Sequence, residues 1–265
     1  MTIAWLLVVV AAWMAVAMAG AWAVQRATGN SGWVDATWSW ATGAAGVAVA
    51  LVPLDGAAPG WRQWLVAGVM AAWALRLGTH IAQRAANGHE DPRYAAFRRD
   101  WGAGFQARMF RFLQIQAGAG FLLVLSVFAA ARHPAPDLRI ADVIAVAIMA
   151  AAVLGEAVAD AQLRRFRADP ANRGLVCEAG LWAWSRHPNY FFEWLLWCAW
   201  PVMAWGVGWP GMALSLVAPA LMYWLLVHAS GIPPLEAVML ASRGEAFRDY
   251  QRRVPAFFPW PPKGP

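Results

Sequence analysis

The sequence predicts an all-α, polytopic membrane protein, and three observations predict it. Hydrophobic residues make up 60% of the 265 positions and charged residues only 14%, against about 25% charge in a soluble domain. Seven apolar runs each approach the roughly 20 residues that a helix needs to cross the hydrocarbon core. The basic residues between those runs fall on alternate sides, as membrane topology requires.

The first run, 3–24, is N-terminal and rich in Ala. It has no basic segment ahead of it and is too long for the apolar core of a signal peptide, so it is expected to be retained as a span. Further runs follow at 33–54, 61–82, 112–131, 140–161, 189–208 and 210–229, with a tail over 230–265. No internal repeat and no Gly/Ser-rich linker divides the chain, so a single membrane-embedded domain over 1–265 is expected. Cys177 and Cys198 have neither metal-ligand spacing nor a disulfide pattern, and no metal is expected.

Charge sets the expected orientation. Arg26 follows the first span. Arg84, Arg93, Arg98, Arg99, Arg108 and Arg111 follow the third, and Arg164, Arg165, Arg167, Arg173 and Arg186 follow the fifth. The tail adds Arg243, Arg248, Arg252, Arg253 and Lys263. These four segments hold 17 basic residues, whereas the opposite side holds only Arg62, Arg132 and Arg139. Seven spans keep the alternation and an even number breaks it, so the N-terminus is expected outside and the tail in the cytoplasm. The bias of 20 Arg to one Lys suits recognition of phosphate or carboxylate by a rigid fork, although a GC-rich genome produces the same bias.

Ionisable residues inside spans are costly and mark candidate sites. They are Asp35, Arg76, His80, Asp142, Glu156, Asp160, Glu193 and His228, and all but Asp142 are expected in the cytoplasmic half. Glu156, Asp160, Arg164 and Arg167 step by four, four and three, so they share one helix face. That face is either a polar stripe leading to an arginine platform for an anion, or a chain of ion pairs closing the helix end. The stretch Gly180-Leu-Trp-Ala-Trp-Ser-Arg-His-Pro-Asn-Tyr-Phe-Phe-Glu193 is the most informative. Pro188 suits the first position of a helix and keeps His187 out of helical geometry. Arg186 and His187 are thus set at the mouth of the sixth span, with Asn189 and Glu193 one turn apart behind them. An interfacial aromatic belt accounts for Trp182, Trp184 and Tyr190, but not for Asn189 with Glu193.

Arg186-His-Pro-Asn-Tyr190 with Glu193, preceded by Gly180-Leu-Trp182 and by Leu163-Arg-Arg-Phe-Arg167, resembles the steroid 5α-reductase family, in particular its bacterial branch. Weaker matches are Glu90-Asp-Pro-Arg-Tyr94, Ser230-Gly-Ile-Pro-Pro-Leu-Glu236 and Phe247-Arg-Asp-Tyr-Gln251. The resemblance implies a seven-span enzyme of the bacterial inner membrane, with its site facing the cytoplasm. It would bind NADPH there and reduce the carbon–carbon double bond of a lipophilic enone, a steroid or a similar lipid drawn from the bilayer. By position it implies cofactor contacts at Glu156, Asp160, Arg164, Arg167, Arg173, Trp182, Arg186, His187, Asn189, Tyr190, Glu193 and Glu236, and a closing loop with Arg84, Arg93 and Tyr94. The family pairs an acid on the second span with a tyrosine on the third as proton donor. Here Trp73 stands where that tyrosine is expected, so Asp35 with His80 is the expected catalytic pair. Membrane methyltransferases of the isoprenylcysteine carboxyl and phospholipid types share a similar His-Pro-x-Tyr motif, there serving S-adenosylmethionine. That makes them the rival reading. No Rossmann fingerprint is present, and neither a nucleic-acid partner nor a protein partner is indicated.

Overall fold

The computed structural model describes residues 1–54, 56–88 and 92–262, and the described residues form helices with no β-strand. Glu90 and Asp91 of the predicted loop motif, and Lys263 of the tail, lie outside them. The helices are α1 (Ile3–Thr28), α2 (Trp33–Leu51), α3 (Trp61–Ala86), α4 (Pro92–Trp101), α5 (Phe105–Ala131), α6 (Ile140–Ala168), α7 (Pro188–Met203), α8 (Gly211–Trp224), α9 (Ile232–Arg243) and α10 (Glu245–Arg253).

Among the described residues five stretches are long and apolar enough to cross a membrane: Ile3–Thr28, Trp61–Ala86, Arg93–Ala131, Ile140–Ala168 and Gly211–Arg243. The second and sixth predicted spans differ from these for separate reasons. The 19 residues of α2 carry Asp35, Thr37, Ser39 and Thr42, which lower its hydropathy. The 16 residues of α7 rise about 24 Å, less than the roughly 30 Å of hydrocarbon. It stops at Met203 rather than near 208 because the chain turns through Gly206 and Gly208, at φ of 90° and 83°, a conformation that side chains with a Cβ resist. Other helices overrun their predicted ends, α6 reaching Ala168. Past α8 the chain makes one wider turn, in which the Ser230 N–H donates to the Leu225 carbonyl at 2.8 Å.

The chain divides into two compact units. The first comprises Met1–Leu138 and Ala204–Ala218. Within it α2 packs on α1, α3 and α5. Its approach to α3 is close enough that a methyl group at Gly43 would lie 2.1 Å from Ala74 Cβ. Small residues of this kind let helices pack where lipid supplies no hydrophobic drive. The loop after α5 is held by arginines. Arg132 donates to the Val49 and Val52 carbonyls that end α2. Arg62, on α3, donates to the carbonyls of His133, Ala135 and Asp137.

The second unit comprises Arg139–Met203 and Pro219–Pro265, with α6 packed along α7. Asp142 caps α6 by accepting from the Arg139 main-chain and guanidinium N–H groups. The amphipathic α10 buries Phe247 and Tyr250, with Val254 beyond it, against Val176, Met239 and Leu240.

Candidate functional site

In the second unit the α6–α7 pair carries the predicted polar stripe. A methyl group at Gly155 would lie 2.3 Å from the Phe192 ring, so the two helices meet there. Glu156 and Glu193 therefore stand at the same level of the pair, and both are buried. Trp197 Nε1–H donates to Glu193 Oε1 at 2.9 Å. Pro188 opens α7, as its fixed φ predicts, and Asn189 is half-buried one turn before Glu193. One turn along α6 from Glu156, Asp160 is half-buried. Among the described residues it forms no ion pair with Arg164. Arg164, Arg165, Arg167 and Arg173 are all exposed where α6 ends.

The residues just before α7 are engaged differently. Trp182 is buried and its Nε1–H donates to the Ala159 carbonyl at 3.0 Å, pinning the 180–183 turn to α6. Arg186 grips Glu236 with two parallel bonds, Nε to Oε1 at 2.7 Å and Nη2 to Oε2 at 3.1 Å, while Nη1 donates to the Gln251 and Val254 carbonyls. His187 Nε2 lies 3.0 Å from Glu236 Oε1, and its ring stacks on Tyr190 with centroids 5.5 Å apart. Burial holds the imidazole below its ordinary pKa and the Arg186 charge adds to this, against the pull of Glu236. The ring is thus kept neutral. Ser185, Tyr250 and Gln251, which the sequence reading did not single out as site residues, complete this cluster.

In the first unit Asp35 lies in the first turn of α2. Its two carboxylate oxygens are taken by neighbours on α4: Tyr94 Oη–H donates to Oδ1 at 2.7 Å, and Arg93 Nη2 donates to Oδ2. Tyr94 is buried, with the Gln116 side chain beside its hydroxyl. The sequence placed Arg93 and Tyr94 in a loop over a cofactor and looked for the partner of Asp35 on α3. In the structure both residues lie on α4, and the tyrosine that meets Asp35 is Tyr94. Trp73 is buried edge-to-face with Trp38, His80 is half-buried on α3, and Arg84 is exposed at the end of that helix.

Residues 21–254 match the family described as a protein of unknown function (DUF1295). The chain belongs to the DUF1295 family. That match spans both units, from α1 to the residue after α10. No curated protein and no solved structure matches the chain. For this DUF1295 protein, then, two polar centres stand out, one around Asp35 and one on α6 and α7. No group of three or more His, Cys, Asp or Glu residues able to hold a metal ion occurs among the described residues.

Proposed function

We propose that this protein is an NADPH-dependent reductase acting on the carbon–carbon double bond of a lipophilic enone, a 3-oxo steroid or a lipid of similar chemistry. The observation that carries this reading is the buried Tyr94 hydroxyl hydrogen-bonded to Asp35. Reducing an enone at its β-carbon leaves negative charge on the ketone oxygen, so the reaction needs a fixed donor there. A phenol stays protonated at neutral pH and can donate a hydrogen bond to the developing oxyanion. Methyl transfer from S-adenosylmethionine to a carboxylate oxygen or a headgroup amine needs no such donor, which is why the methyltransferase reading ranks second. Tyr94 takes the role that the sequence reading assigned to His80.

The second unit fits a dinucleotide phosphate. Arg164, Arg165 and Arg173 present exposed guanidinium forks at the end of α6, suited to phosphates. Glu156, Asp160, Asn189 and Glu193 offer the acceptors and amide that ribose hydroxyls and a carboxamide require. Bound NADPH would supply the hydride. The chain's own part is to orient that cofactor through these groups and to present the Tyr94 hydroxyl, whose one proton rests on Asp35 and would turn to the ketone oxygen on substrate binding, with Arg93 balancing the carboxylate.

The same reading includes one membrane-embedded reductase domain that crosses a bacterial inner membrane seven times. Its N-terminus is outside, and its tail and cofactor entrance are cytoplasmic. The three basic residues on the opposite side do not weigh against that orientation, because Arg62, Arg132 and Arg139 all donate to main-chain carbonyls.

The test is ligand stabilisation of purified protein in detergent. NADPH should raise the unfolding temperature more than NADH or S-adenosylmethionine does. Stabilisation by S-adenosylmethionine alone would replace the reductase with a methyltransferase.

A further inference from the structure

The sequence stretches Arg186-His187, Glu236 and Tyr250-Gln251 lie far apart in the chain yet close on one another in the second unit, and their bonding is saturated. Glu236 has four acceptor positions, and all are filled. Oε1 accepts from Arg186 Nε and faces His187 Nε2, while Oε2 accepts from Arg186 Nη2 and Gln251 Nε2. Arg186 has five N–H donors, and four of them are committed, two to Glu236 and two to the carbonyls of Gln251 and Val254. Such groups have almost nothing left to offer a ligand.

The main chain is gripped as well. The Arg186 N–H donates to the Pro255 carbonyl and the Trp260 N–H to the Trp184 carbonyl, both at 2.9 Å. Tyr250 Oη–H donates to the Trp182 carbonyl at 2.6 Å. Ser185 Oγ–H donates to the Phe257 carbonyl at 2.9 Å and accepts the His187 N–H at 3.1 Å. Every residue from 184 to 187 that these bonds fix lies within four positions of Pro188, the first residue of α7. A shift here passes directly into the turn carrying Asn189 and, one turn further, Glu193.

We infer that the tail from Glu236 to Trp260 is a strap that sets the entry of α7, making Arg186, His187 and Glu236 positioning residues for Asn189 and Glu193 rather than cofactor contacts. The link to a cofactor rests on the reductase reading; the strap itself does not. It also explains why the motif at 186–190 is accompanied by two short matches near the C-terminus.

The experiment combines hydrogen–deuterium exchange with NADPH titration on the full chain in detergent, using Glu236→Gln and the milder Tyr250→Phe. Both variants should raise deuterium uptake over 184–193. Both should weaken NADPH binding by roughly tenfold, the effect of about 1.4 kcal/mol, with kcat changed less than KM. The Tyr250 hydroxyl bonds only to the main-chain carbonyls of Trp182 and Ser185, so weakened binding in that variant is not explained by a lost ligand bond. Weakened binding with unchanged uptake over 184–193 would overturn the strap in favour of direct contact. Raised uptake with unchanged binding would overturn it as a positioning device. If wild-type protein ignores NADPH, the reductase reading fails, and the exchange data still decide whether the tail fixes α7.

Discussion

The Asp35 and Glu236 centres use the same residue types and reach opposite states. Each is a carboxylate met by an arginine and a ring-bearing side chain. At Glu236 the arginine fork is also closed by main-chain carbonyls, and both charged side chains are only 11–12% exposed. At Asp35 the arginine meets the carboxylate through one nitrogen and both side chains stay 24% exposed. The first is a joint with its valences filled. At the second, Tyr94 and Arg93 take one carboxylate oxygen each and the ion pair is twice as exposed, and there the proposed function puts its proton donor. On the proposed function, exposure of the pair, more than residue identity, separates the structural centre from the chemical one.

That contrast can be tested from its largest expected effect downward. Tyr94→Phe removes the proposed donor and should cut kcat for enone reduction by about 10²–10⁴-fold, the range for general acid catalysis, while the fold survives. A variant that turns over normally would erase the distinction between the centres. Arg186→Ala leaves a buried Glu236 without its charge partner, and should destabilise the protein by about 3–5 kcal/mol, read as a lower unfolding temperature in detergent. Arg93→Ala, at the more exposed pair, should cost clearly less in the same assay. Arg132→Ala, which strips donors from the Val49 and Val52 carbonyls, should cost about 1–3 kcal/mol.

The smallest effect is pH dependence. His187 titrates below its ordinary value of 6.5 in the folded protein. The unfolded chain therefore takes up a proton that the folded one refuses as the pH falls below about 6.5, and this linkage favours unfolding. The stability that neutral His187 contributes is complete above that pH and is lost on acidification. His187→Gln should flatten this part of the profile of unfolding temperature against pH.

Helix positions were largely legible in the sequence, because apolar runs of about 20 residues have few other uses. Their ends were less so. The apolar signal of α6 fades near 161, but its polar-faced continuation remains helical to Ala168. The turn through Gly206 and Gly208 shortened α7 inside a run that composition alone reads as continuous. The stripe Glu156–Asp160 and the pair Asn189–Glu193 were visible because helical spacing is local. The pairing of Asp35 with Tyr94 spans 59 positions and that of Arg186 with Glu236 spans 50. No periodicity reaches so far, and the family pattern puts the tyrosine on α3, where Trp73 stands.

Arg62, Arg132 and Arg139 bear on why this chain has almost no lysine. Arg132 bridges the Val49 and Val52 carbonyls, Arg62 spans three carbonyls of the loop after α5, and Arg139 joins Asp142 to the Met203 carbonyl. An ammonium group is a compact point charge that cannot reproduce a planar fork across separated oxygens. Exchange of these arginines for lysine keeps every formal charge and every topology count, yet should leave carbonyls bare at helix ends. At these positions the Arg bias is a requirement of geometry, whatever the base composition of the gene.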